Sequence, residues 1–187
     1  MAEKLRVGTP IDAFITILFG LVGAGIIALV HAIPMPYTMV SLLKFGLAPS
    51  LTIIAFVGAI RGPLAGLVAG YLGIISHDLF VYGEVVGMTL PAMAYGILGL
   101  IVGLASYDFS NGRSLGKLSG ISAIGLIFTG VLLAIIGIFV EQNAILVVLG
   151  FVMLPLLTTG LPSVILITPI LARLWLTTTQ RIQLPLS

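Results

Sequence analysis

The chain has 187 residues, of which 59% are hydrophobic and 7% charged, with a mean hydropathy of +1.28. A soluble domain carries about a quarter charged residues, so this composition excludes a soluble globule and points to an integral membrane protein. A net charge of +2, from 8 basic and 6 acidic residues, suggests no nucleic-acid partner, and the absence of cysteine excludes disulfides, thiolate metal ligands and thiol catalysis.

Long continuous apolar runs, in place of the alternating polarity of a β-barrel, predict an all-α membrane protein: one domain, 1–187, built as a six-transmembrane-helix bundle. The basic start, Met1 to Arg6, has the look of a signal-peptide n-region, but the apolar run after it is longer than an h-region and reads as a retained span. Thr9-Pro10-Ile11-Asp12 opens that first span with a capping hydroxyl, a proline in the first turn and an acid three residues after the cap. It runs over about 11–32, with Gly20, Ala24 and Ala28 recurring every four residues on one face. Pro34 and Pro36 then interrupt an apolar stretch, 33–41, which is expected to be a loop.

A second span is predicted over about 45–60 and a third over 63–81. The third starts after Arg61 and Gly62, with Pro63 in its first turn. It carries two rows of small residues, Gly62/Gly66/Gly70 and Ala65/Ala69/Gly73, each suited to close backbone approach. It ends near His77 and Asp78, sequence neighbours expected to point about 100° apart and so to act poorly on one another. A fourth span over about 85–105 contains Pro91, expected to kink it. Asp108 to Lys117 is the most polar segment and holds an Asn111-Gly112 turn signal. A fifth span over about 118–140 stops at Glu141-Gln142-Asn143. The last apolar run carries Pro155, Pro162 and Pro169, and is expected to divide into an apolar lid or re-entrant segment, about 144–158, and a sixth span, about 160–176.

Placing the N-terminus in the cytoplasm puts Lys4, Arg6, Arg61, Arg113, Lys117, Arg173 and Arg181 on that side and leaves Lys44 outside, an asymmetry that sets orientation. Both termini are then cytoplasmic. The outer side receives Lys44, His77, Asp78, Glu84 and Glu141 with Tyr37, Tyr82, Gln142 and Asn143, while His31 is expected to be an interfacial residue satisfied by water. Acids within or at the ends of spans usually mark a pathway or a site. The candidate ligand-binding set is therefore Asp78, Glu84, Lys44, Tyr37, Tyr82 and Asn143, under the 33–41 loop. No zinc, serine-hydrolase or P-loop signature occurs, so neither an enzyme nor a resident metal or cofactor is expected.

The turn Gly62-Pro63-Leu64-Ala65-Gly66 after an apolar span, with an Asp at the end of the next helix, resembles the substrate-binding S-components of energy-coupling factor (ECF) vitamin transporters. Size, span number and inside termini fit that plan, and Ala24-Gly-Ile-Ile-Ala28 matches the family's Ala-x-x-x-Ala motif. The resemblance implies capture of a vitamin or similar small molecule outside, docking through Ala24 and Ala28 on a transmembrane coupling subunit, and ATPase partner subunits that supply the energy. The nickel/cobalt branch of the family has an early His as metal ligand, which Met1-Ala2 lacks. A self-contained small-solute transporter or channel, and less favourably a membrane-embedded enzyme, are the alternatives.

Overall fold

The computed structural model describes residues 9–33, 37–40, 43–83 and 89–182, with the backbone alone for 37–40, 43–45, 181 and 182. Six helical runs and one hairpin make up these residues: α1 (Pro10–Ala32), β1 (Tyr37–Val40), β2 (Leu43–Gly46), α2 (Pro49–Arg61), α3 (Pro63–Tyr82), α4 (Thr89–Gly103), α5 (Gly112–Val140) and α6 (Ile145–Gln180). The chain is a helical membrane protein: α1, α3, α5 and α6 are long and apolar enough to cross a bilayer, and α2 and α4 are shorter apolar helices.

The helix starts follow local chemistry. Thr9 caps α1 as its side chain accepts from the Asp12 amide at 3.2 Å, and its hydroxyl donates to the Asp12 carboxylate at 2.8 Å. Proline begins α1, α2 and α3, where a missing N–H costs nothing. The second helix therefore opens at Pro49 and not near residue 45. Asn111 serves α5 as a cap, accepting from the Arg113 amide at 3.0 Å. Pro91 lies in the first turn of α4, where it interrupts no helical hydrogen bond among the described residues. The expected kink is thus not needed.

Two elements differ from the sequence reading. Part of the 33–41 loop is a strand: Tyr37–Val40 pairs antiparallel with Leu43–Gly46, Tyr37 opposite Gly46 and Val40 opposite Leu43. Pairing lets backbone groups in apolar surroundings satisfy each other, which an open loop there would not. The Ala48 amide ties the hairpin's far side to α6, donating to Ser163 Oγ at 2.7 Å. Second, the residues read as a lid or re-entrant segment are helical and continuous with the last span, since α6 runs 36 residues. At about 1.5 Å per residue this is roughly 54 Å, well beyond a hydrocarbon core of about 30 Å.

Proline does not break α6 because the backbone widens into π-helical turns, Val148–Met153 and Leu156–Gly160, on either side of Pro155. Hydroxyls along this stretch bond back to the carbonyl four residues earlier: Thr158 donates to Leu154 O at 2.9 Å, Thr159 to Pro155 O at 2.7 Å and Ser163 to Thr159 O at 2.7 Å.

The centre of the bundle is α3, held between α1 and α4 by its two small-residue rows. Gly66 and Gly99 face each other backbone to backbone, and a Cβ on either would strike the other's carbonyl. Gly58 approaches Gly99, Gly70 approaches the Tyr95 carbonyl, and Gly103 sits on Gly62 and Pro63. On the other side Gly73 packs on Ile27, and Gly20 and Gly23 of α1 meet Val68 and Ala69. α5 joins through Thr129, whose hydroxyl lies 2.9 Å from Gly125 O and 3.2 Å from Ala94 O on α4.

One end of the bundle is basic. Gly62 turns the α2–α3 corner at φ 98° beside Arg61. The adjoining α4–α5 turn leads into Arg113 and Lys117 at the start of α5, and its Phe109 and Ser110 carbonyls each accept from Arg173 at 2.9 Å. In that turn the Ser110 hydroxyl and amide donate to Asp108, holding its carboxyl below the usual range.

Close backbone contact makes a sharp prediction. Gly99→Ala should cost at least about 1–3 kcal/mol through overpacking, whereas Gly116→Ala, with nothing near the added methyl, should be neutral or stabilise by up to about 1 kcal/mol. Thermal unfolding in detergent measures both, and equal losses would show that the α3–α4 contact is not tight.

Candidate functional site

The two small-residue rows of α3 continue to its far end. Four residues beyond Gly73, on the side that packs against α1, comes His77; eight beyond Gly70, on the side facing α4, comes Asp78. Both are buried, at 8% and 5% exposure, and His77 Nδ1 lies 2.8 Å from Asp78 Oδ1. Sequence neighbours on a helix do diverge, yet these two lean together, because enclosure between α1 and α4 removes the water that would otherwise satisfy each alone. The expectation that they act poorly on one another is therefore corrected. The physical reason is cost: a buried carboxylate must find a partner.

Around the pair stand aromatic rings. The His31 ring, in the last turn of α1, lies 4.3 Å from that of His77 between centroids, so His31 borders this cluster as well as the solvent-facing flank. The Tyr82 ring meets His77 edge-on at 6.2 Å, and Gly83, left-handed at φ 71°, closes α3 just beyond. Facing a carboxylate acceptor, Nδ1 carries hydrogen, which leaves Nε2 to accept or donate according to protonation. The arrangement can hold a proton between acid and base, or offer a carboxylate oxygen and a ring nitrogen to a ligand's polar groups. Among the described residues it is the one contact within 4 Å between a basic and an acidic side chain, and no three His, Asp or Glu side chains gather to hold a metal ion.

Of the residues singled out from sequence, Asp78 and Tyr82 are brought together, through His77. Asn143 lies in the α5–α6 turn, where its Nδ2 donates to Glu141 Oε2 at 2.9 Å. Tyr37 and Lys44 lie on the paired strands of the hairpin, with their side chains outside the described residues, and Glu84 is outside them entirely. Ala24 and Ala28 are buried, at 4% and 9% exposure, so their small size serves packing within the chain, and docking through them would require that packing to open.

His31 and His77 are the members that the sequence reading undervalued. The signal was present: extending the Ala65/Ala69/Gly73 row by one step gives His77, and extending Gly20/Gly23/Ile27 along α1 gives His31. Comparison with known protein families, with curated proteins and with solved structures finds no match to this chain.

Removing one member of a buried pair strands the other. His77→Ala should cost about 3–5 kcal/mol of stability, and the double variant His77→Leu with Asp78→Leu should lose clearly less than the sum of the two single leucine variants. Unfolding in detergent gives all three values, and simple additivity would mean that the two side chains do not act as a pair.

Proposed function

We propose that the chain is a substrate-capture membrane subunit of an ECF-type importer, binding a vitamin-like small molecule at the His77–Asp78 end of the bundle. The observation that carries this reading is a buried, hydrogen-bonded ionisable pair at the end of a helix otherwise apolar or glycine-rich, about 25 Å of helix from the basic end. Ionisable residues within membrane spans are costly, and their presence argues for a ligand or a pathway. The turn at Gly62 to Gly66 and the six apolar helices are in keeping with the S-component resemblance.

In this reading α2 and α4 complete a six-span bundle, with both termini and the basic end in the cytoplasm of a prokaryotic plasma membrane. Asp78 accepts a donor or cationic group of the ligand, His77 holds that carboxylate in place, and Tyr82 borders the entrance. Tyr37, Lys44, Glu84 and Asn143 supply the rest of an outer rim. The sequence has no P-loop signature, so ATP hydrolysis falls to partner subunits, reached through a transmembrane coupling subunit.

A second reading, a self-contained transporter driven by protons, is favoured by the same pair, because imidazole and carboxylate can exchange a proton in place. Uptake by proteoliposomes containing this chain alone, driven by a pH gradient, would decide for it.

Two outcomes are expected of the first reading. In the cysteine-free chain, a single cysteine at Asn111 should resist impermeant maleimide from outside intact cells while one at Tyr82 reacts; reaction at Asn111 from outside overturns the orientation. Asp78→Asn should weaken binding of the small molecule that co-purifies with the protein by about ten- to a hundred-fold, the equivalent of one charge-assisted hydrogen bond. Calorimetry showing affinity within two-fold of the parent would place the ligand elsewhere.

A further inference from the structure

A groove of about 470 Å³ opens between α1, α2 and α6, away from the His77–Asp78 pair. Its floor is α2 from Pro49 to Ile60, and its walls include Val22 and Ile26 of α1 and Leu171 and Trp175 of α6. Apart from Thr52 the lining is apolar. Eleven residue steps of α2 at about 1.5 Å give roughly 16 Å, about half of a hydrocarbon core near 30 Å. The groove is thus as long as one leaflet is deep.

Its basic end is built differently from its middle. There Trp175 meets the rings of Phe19 and Phe56 edge-on, each at 6.2 Å, and the Arg61 guanidinium lies 5.9 Å over the Phe19 ring. Arg61 is half-buried, its Nε is sealed from solvent without a hydrogen-bond partner, and no carboxylate pairs with it among the described residues. The first amides of α3 follow at once, and their cap, Gly62, has no side chain to accept from them. Unpaired cation and uncapped helix start add to a positive potential at the mouth of an apolar trough. A tryptophan at that level is typical of the membrane–water interface.

We infer that this groove holds an acyl chain of an anionic glycerophospholipid, with the lipid phosphate against Arg61. The charge of the mouth selects an anionic headgroup over a zwitterionic one, and the apolar, leaflet-deep trough takes one chain. Neither feature depends on the ligand assigned to the His77–Asp78 end.

Native mass spectrometry tests the inference on the whole protein, exchanged from detergent into equimolar dioleoyl-phosphatidylglycerol and dioleoyl-phosphatidylcholine. The parent should retain one phosphatidylglycerol in preference by roughly five-fold, the effect of one basic residue near a lipid phosphate. Arg61→Gln should lose the preference, and Arg61→Lys should keep much of it. Val22→Trp, at an exposed lining position, should fill the trough and reduce retention of both lipids without lowering the unfolding temperature. Equal retention of the two lipids by the parent, unchanged preference in Arg61→Gln with unchanged retention in Val22→Trp, or a groove occupied by a second copy of the chain and seen as a lipid-free dimer, would each overturn it.

Discussion

Backbone-to-backbone contact between α3 and α4 is the constraint on which the rest of this protein depends. In a bilayer, helices gain nothing from hiding apolar side chains from lipid, so association rests on dispersion and close fit. Gly66 against Gly99, with Gly62, Gly70 and Gly103 above and below and Gly58 of α2 alongside, supplies that fit over most of the length of α4. The second row of α3 does the same for α1 through Ala69 and Gly73. A helix clamped on two sides becomes a fixed axis, and the orientation of every residue along it is thereby set.

The consequence at the end of α3 is chemical. Because one row faces α1 and the other α4, the two positions that continue these rows, His77 and Asp78, are each covered by a neighbouring helix. Had the same residues ended a helix packed on one side alone, one of them would meet solvent or lipid headgroups and the pair would lose its reason to form. Burial at 8% and 5% and a bond of 2.8 Å are products of the clamp as much as of the residues themselves.

On the far side of the molecule the opposite condition holds. α1 and α6 flank α2 without closing over it, and the trough between them ends at an arginine without an acidic partner among the described residues. Close packing around α3 and a groove left open over one face of α2 give one molecule two kinds of surface: a sealed polar pair at one end, and an open apolar trough with a charged mouth leading to the other.

Composition and hydropathy alone determined that this is a helical membrane protein, because no arrangement of so few charged residues could cover a soluble globule. Local chemistry determined most helix starts as well: Thr9 with Asp12, and the prolines at positions 10, 49 and 63, act within one turn of backbone. Tertiary structure alone decided what prolines do inside a long apolar run, since the π-turns around Pro155 and the hydroxyls that accompany them depend on continuous packing along α5. It decided too that Tyr37–Val40 pairs with Leu43–Gly46, a matter of which backbone groups lack any other partner. And it decided the His77–Asp78 contact. Helical spacing separates adjacent side chains, and what unites these two is an enclosure formed by α1 and α4, elements that lie more than ten residues away in sequence and are invisible to any reading of α3 by itself.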